Sequence, residues 1–291
     1  MSTEDQKPDA GLYEEIGPWT EVKHEIIRDY ARAYSTILRA QQRPGFYHIY
    51  IDAFAGAGRY VSKKSGLLVP GSTELALQTN PPFREYHFID IDDVKVAQLE
   101  QIAGDRSDVI IHHGDCNRVL VEQVLPLVRY DQYRRGLCIL DPYGLHLNWV
   151  TVASVAAMRT VDIFINFPTM DINRNALVRN PSGIAPLQAE RMTAFWGDES
   201  WRQRFYEDSP QLPLLGERPE VKSVTNEAVA EAYRQRLRTV AGFGYVPPPI
   251  PMRNSSNAIL YYLFFASHKV VARDIVEQIF DKYRAGGRTR G

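Results

Sequence analysis

The sequence predicts an α/β fold, a mostly parallel sheet with helices on both faces. Three observations carry this. Short apolar runs alternate with helix-spaced segments from about residue 47 to 167, the pattern of a sheet buried on both sides. The first run, His48-Ile49-Tyr50-Ile51-Asp52-Ala53-Phe54, enters the tight turn Gly56-Ala57-Gly58, where glycine lets backbone come close to a ligand. Four acids, Asp52, Asp90, Asp115 and Asp141, fall at the carboxyl ends of four consecutive runs, the edge where open α/β sheets place their ligands.

Each element follows in turn. Residues 1 to about 18 are polar and end in Gly17-Pro18, the signature of a flexible arm. Thr20 is placed to cap a helix over about 20–41, with Ile26, Ile27, Tyr30, Tyr34, Ile37 and Leu38 at helical spacing. Strands are expected at 47–54, 85–91, 108–112, 136–140 and 161–167, with helices at about 72–79, 92–103, 117–129 and 148–158. After the fifth strand, residues 169–225 read as an irregular insertion with short helices. A helix at 225–240, two late strands around the Asn254–Asn257 turn, and a helix at 270–283 complete the chain before a basic tail, 284–291. Residues 19–283 therefore read as one domain carrying an insertion.

Composition narrows the function. The 291 residues carry a formal net charge of −1, so no global basic field draws in polyanions. Cys116 and Cys138 are too few for a disulfide framework or a zinc site. His112 and His113 are adjacent and point to opposite faces of a strand, so no metal is expected. No apolar run is long enough to span a bilayer and the start lacks a signal-peptide pattern, so a cytoplasmic location is expected.

The strand ends define candidate sites. Asp52 and the turn Phe54-Gly56-Gly58 form one wall. Phe54 stands where a dinucleotide fingerprint needs its first glycine, which argues against a nicotinamide enzyme. Asp90 is placed to accept from a ribose diol, and Asp92 to cap the next helix. Asp115, followed by Cys116, is placed to accept from an adenine amino group. Helix-start acids remain the plainer reading of Asp90 and Asp92.

These motifs in this order resemble the class I S-adenosylmethionine-dependent methyltransferases. The resemblance covers residues 47–168 and the late strand pair, and DAFAGAG matches the phenylalanine-containing form of that family's first motif. It implies a Rossmann-like, seven-stranded fold and S-adenosylmethionine as cofactor, held by Asp52, Phe54, Gly56, Gly58, Asp90, Asp115 and Cys116. A resemblance running nearly end to end is to the bacterial three-Cys-motif partner proteins. It rests on Trp19-Thr20-Glu21-Val22-Lys23, IDAFAGAG (51–58), FIDID (88–92), GDCN (114–117), LDPYGLHL (140–147), NFPTMDINRN (166–175) and LYYLFFAS (260–267). That resemblance implies a genomic partner protein bearing the three cysteines.

Asp141-Pro142-Tyr143 is similar to the D/N-P-P-Y/F motif of amino-group methyltransferases. There the polar side chain accepts from the target amine and the aromatic ring stacks on a flipped base. One proline is missing here and Tyr143 sits one place early. Asn166-Phe167-Pro168, at the fifth strand's end, offers a second amide oxygen at the rim. Substrate contact is expected from Arg59 and Lys63 in the loop after the glycine turn, and from Asn173 and Arg174 after the fifth strand, with Trp196 and Trp201 either stacking on bases or lying in a helical core. Arg129 to Arg135 precede the fourth strand and so lie at the opposite edge. The expected activity is N-methylation of a nucleic-acid base. The rival readings are a peptide or small-molecule methyltransferase and a non-catalytic partner protein.

Overall fold

A computed structural model describes residues 13–41, 46–208 and 220–285. The first twelve residues of the expected arm and the tail beyond 285 lie outside the described residues.

Seven strands form the central sheet: β1 (Tyr47–Asp52), β2 (Glu85–Asp90), β3 (Val109–His113), β4 (Arg134–Leu140), β5 (Val161–Phe167), β6 (Ile250–Arg253) and β7 (Ile259–Ala266). Their spatial order is β3-β2-β1-β4-β5-β7-β6. The first five are parallel, while β7 runs antiparallel to both β5 and β6. This is the expected Rossmann-like class I methyltransferase fold. The strand order reverses between β1 and β4, where Asp52 pairs in register with Ile139. At such a switch point the loops leave in opposite directions and open a crevice.

Ten helices are described: α1 (Pro18–Ala40), α2 (Ser72–Leu77), α3 (Asp93–Ala103), α4 (Cys116–Val119), α5 (Trp149–Met158), α6 (Thr169–Asn175), α7 (Pro186–Trp196), α8 (Ser200–Phe205), α9 (Asn226–Thr239) and α10 (Val270–Ala285). The sheet's two faces are covered separately. Ile49 and Ile51 of β1 join Leu120, Val152, Phe195 and Tyr233 in one core. Tyr50 joins Ile26, Tyr30, Leu99 and Phe280 in the other. Alternate side chains of a strand point to opposite faces, so one apolar strand feeds both cores.

Four local expectations are corrected. Gly17, not Thr20, is the N-cap of α1, because Pro18 with its preset φ occupies the first turn. Within the expected arm, Glu15–Ile16 is a short strand paired in parallel with Val61 and Ser62. The loop after the glycine turn is a hairpin, Arg59–Ser62 against Leu68–Pro70, rather than a free basic loop. Residues 117–129 do not form one α-helix. α4 passes into a π turn, Leu120–Val124, and a 3-10 turn that starts just before Pro126, whose ring removes a helical hydrogen bond.

The insertion is more regular than its composition suggests. It holds α6, α7, α8 and the antiparallel pair Tyr206–Asp208 with Glu220–Lys222. Trp196 and Trp201 are 0% exposed and belong to the core of the adjacent sheet face. Of the two roles open to them, core packing is the one they fill: each buried indole contributes about 1.5–3 kcal/mol or more of apolar burial where it is.

Candidate active site

Two clefts open at the carboxyl edge and share Phe54 and Tyr143 as a common wall. The first, about 510 Å³, is bounded by Asp90, Ile91, Asp92, Asp115, Cys116 and Asn117. That volume lies within the roughly 300–1,000 Å³ of small-molecule sites. Its acids are held by the turns they cap. Asp90 Oδ2 accepts from the Gly56 amide at 2.8 Å, and its Oδ1 from the Asp92 amide at 3.0 Å. Asp115 is the N-cap of α4 and accepts from the Asn117 amide at 2.9 Å. Each Asp90 oxygen keeps a further lone pair for a ligand hydroxyl; Asp115 Oδ1 also accepts from Asn117 Nδ2 at 3.1 Å, so Oδ2 is the Asp115 oxygen open to a ligand amine. Ile91, 69% exposed, presents an apolar face between them. Burial pushes the Cys116 thiol well up, so it stays protonated and acts as a packing group.

This cleft fits S-adenosylmethionine. An apolar wall, a carboxylate for a diol and another for an amine are the donor–acceptor set the nucleoside needs. The glycines support the wall without forming it. Gly56 and Gly58 take φ of +63° and +77°, a region L-residues avoid. A Cβ on Gly58 would lie 2.4 Å from Ile102 Cδ1, so this glycine lets β1's turn seat on α3. Asp52 is 0% exposed and lines neither cleft. Its Oδ2 accepts from Ser72 Oγ at 2.6 Å, tying the turn to α2, and burial drives its carboxyl up to about 7. The expected ligand contact of Asp52 is thus corrected to a structural one.

The second cleft, about 250 Å³, brings Asp141, Pro142, Tyr143 and Asn166 together. Asn166 Nδ2 donates to Asp141 Oδ1 at 2.7 Å. Lys23, 4% exposed, pairs with the other Asp141 oxygen. Burial works to raise the Asp141 carboxyl, but the Lys23 ammonium and the hydrogen bonds from Lys23 and Asn166 hold it below the usual range. Two buried polar atoms here, Asn166 Oδ1 and His24 Nδ1, have no hydrogen-bond partner among the described residues. Burial and the neighbouring Lys23 charge push the His24 imidazole down to about 3, so it is neutral. Trp19, Tyr60 and Tyr261 add aromatic walls.

Residues Glu14 to Gly17 close one side of this cleft. Tyr143 Oη donates to Glu14 Oε2 at 2.6 Å, and Lys95 Nζ lies 2.9 Å from Glu14 Oε1 and 4.6 Å from the Tyr143 ring centroid. Tyr143 is therefore a clamp between α3 and the entering chain. Lys95 covers one face of its ring, and Tyr143 is 56% exposed, so stacking on a base would use the other face.

The expected substrate residues divide. Lys63 lines the second cleft, 4.0 Å from Glu15. Arg59 does not: its guanidinium is bidentate with Glu74 at 2.8 and 2.9 Å, beside another cavity. Asn173 is committed to Asn226 and Lys222, at 2.8 and 2.6 Å. Arg174 is exposed on α6 and lines neither cleft. Sequence reasoning missed Glu14, Lys23, His24, Lys95 and Tyr261 as site residues. Lys23 left a signal: it lies three and four residues before Ile26 and Ile27, on the apolar stripe of α1, where an unpaired ammonium does not belong. Among the described residues no group of three or more metal-binding side chains is found, and no helix is long and apolar enough to cross a membrane.

No family model and no curated protein matches the chain. Among solved structures it is similar to a Legionella pneumophila protein at 12% identity, covering 75% of this chain and 92% of that one, with a TM-score of 0.40. It is similar to the DszA carbon methyltransferase at 15% identity, covering 81% of this chain and 51% of the other, with a TM-score of 0.42. A Thermobifida fusca protein described as a methyltransferase matches at 14% identity over 87% of this chain and 81% of that one, with a TM-score of 0.41. Likenesses of this degree carry no argument about the activity of this chain.

Proposed function

We propose that this chain is an S-adenosylmethionine-dependent methyltransferase acting on an amino nitrogen of a planar, base-like ring, with nucleic acid as the substrate class. The observation that carries the reading is the pair of clefts meeting at Phe54 and Tyr143. One is ringed by carboxylates suited to a nucleoside, and the other is floored by acceptors with no partner among the described residues. When bound, the cofactor supplies an electrophilic methyl on a sulfonium centre. The chain supplies position. Asn166 Oδ1 and Asp141 accept from the target N–H groups, which orients the nitrogen lone pair. Burying an acceptor without a donor is costly, so a ligand amine at Asn166 Oδ1 relieves a penalty present in the free protein. Asp141 and His24 are both held low, so neither is a strong base, and the acidic proton of the methylated nitrogen passes on to solvent. A cleft of about 250 Å³ with aromatic walls suits one flat ring.

The test is calorimetry with S-adenosylhomocysteine, followed by transfer of labelled methyl to RNA, DNA and peptide pools. Saturable binding with label in nucleic acid is expected. A protein that binds no S-adenosylhomocysteine sinks the reading entirely. Label in peptide alone retains the enzyme and removes the substrate class.

A second reading draws on one observation. Both Asp141 oxygens are engaged within the protein, by Lys23 and Asn166. A closed pair of this kind suits a non-catalytic protein acting beside an enzyme, as the resemblance to three-Cys-motif partner proteins implies. That reading expects Asp141→Asn to leave cellular function intact.

A further inference from the structure

The amino-terminal edge of the sheet carries a cavity that methyl transfer does not use. α1 and α10 are joined near one end, where Lys282 Nζ lies 2.9 Å from Asp29 Oδ2 and Tyr283 Oη reaches Glu25 and Asp29. Between Ile37 and Leu38 of α1 and Val271 and Ile275 of α10 lies a cavity of about 320 Å³. It reaches Arg135, near the start of β4, whereas the clefts begin after Leu140. Five strand residues at roughly 3.3 Å each separate the two edges.

The walls are apolar and the mouth is cationic. Arg135, Arg159 and Lys269 all line it, and among the described residues none of the three has a carboxylate at ion-pair distance. Arg135 is stacked instead, 4.5 Å from the Tyr130 ring centroid. Arg159 is held there by a left-handed backbone, φ +57°, at the end of α5. Asp162 on the floor is already served by the hydroxyls of Tyr30 and Ser267. Tyr34, 8% exposed, lines the cavity beside them. A bare anion would leave the apolar walls wet. A hydrocarbon would make no use of Arg159 and Lys269, the two exposed cations at the mouth, whereas Arg135 is already engaged by the Arg134 carbonyl and the Tyr130 and Phe46 rings. One ligand chemistry answers both.

We propose that this cavity binds a small carboxylate with an apolar body. The body lies between α1 and α10, the carboxylate meets Arg159 and Lys269, and Tyr34 donates to it. Guanidinium and ammonium groups both bind carboxylates, and an apolar body seated between α1 and α10 would shield the pair from water. The site stands apart from the cofactor cleft, so its occupancy is independent of the methyltransferase reading.

The test is calorimetric titration of the full chain with octanoate, octanol and inorganic phosphate. Arg159→Asn and Lys269→Gln are combined, since asparagine tolerates the left-handed backbone. Octanoate is expected to bind saturably, at least about tenfold more tightly than octanol or phosphate, and the double variant is expected to lose about tenfold or more of that affinity. S-adenosylhomocysteine affinity and the melting temperature are expected to stay unchanged in the variant. No octanoate heat, equal binding of octanol, or an octanoate affinity untouched by the double variant each overturns the proposal.

Discussion

Asn166 Nδ2 donates to Asp141 Oδ1 at 2.7 Å, and this one bond sets the polarity of the acceptor cleft. An ionised carboxylate only accepts, so the amide must turn its nitrogen toward Asp141. Its oxygen is then left buried, without a partner among the described residues. Asn166→Leu removes that acceptor and the donor to Asp141 together. Turnover is expected to fall by about a hundredfold or more, with S-adenosylhomocysteine affinity within about twofold of the parent. Loss of cofactor binding instead would mean that Asn166 supports the wrong cleft.

Lys23 is the counter-charge for Asp141. Lys23→Met leaves a half-buried carboxylate without its ammonium, with an expected loss of up to about 3 kcal/mol in urea unfolding. Adding Asp141→Leu should restore most of that stability while methyl transfer stays absent. A double variant as unstable as Lys23→Met would show that the pair is not what the stability depends on.

Asp90 and Asp115 rim the cleft proposed for the cofactor. Asp90→Ala also removes the acceptor of the Gly56 amide, a hydrogen bond to a charged group worth about 1.5–3 kcal/mol. Its loss of S-adenosylhomocysteine affinity, about tenfold to a hundredfold, is therefore expected to come with a lower melting temperature. Asp115→Ala loses the Asn117 cap as well, at about 1 kcal/mol. Calorimetry on both variants decides, and unchanged affinity in either removes that acid from the site.

Gly58→Ala tests the support of the turn. With φ at +77° and Ile102 Cδ1 2.4 Å from the new Cβ, a destabilisation of about 1–3 kcal/mol is expected. Gly66, with φ +70° and open space around it, is the control for backbone strain alone. Equal losses at the two positions would show that packing on α3 contributes nothing.

Asp52 makes stability depend on pH in the direction opposite to most carboxylates. Burial raises its folded-state value to about 7, above the ordinary 3.8. The folded protein then binds more protons than the unfolded chain between these values, so stability is full below pH 4 on this account and falls as pH rises toward 7. Asp52→Asn is expected to flatten that fall and to be the more stable form at pH 8, by as much as a few kcal/mol. His48, buried and pushed down to about 4, acts on the acid side: its contribution is present above 6.5 and lost as pH falls toward 4. Melting curves from pH 4 to 8 separate the two, and an Asp52→Asn curve parallel to the parent's would rule out the assignment.

Much of this protein was legible in one dimension. The apolar runs of β1 to β5 and the glycine turn predict a parallel sheet, because strands buried on both faces admit little else. The acids Asp90, Asp115 and Asp141 could be placed at one edge by counting strands alone. Contacts between distant segments were not legible. Glu14 meets Tyr143, and Lys23 meets Asp141 across 118 positions, and neither pairing leaves a periodic trace. Asn173 and Arg59 look like surface readers in sequence, yet Lys222, Asn226 and Glu74 occupy them. Strand order and backbone alternation are local consequences of side-chain hydrophobicity, so the sequence by itself determined the fold and the edge that carries the site. Which polar atoms are satisfied and which remain open depends on what packs against them, and only the tertiary structure decided that Asp52 is internal while Asn166 Oδ1 and His24 Nδ1, in residues lining a cleft, have no partner among the described residues.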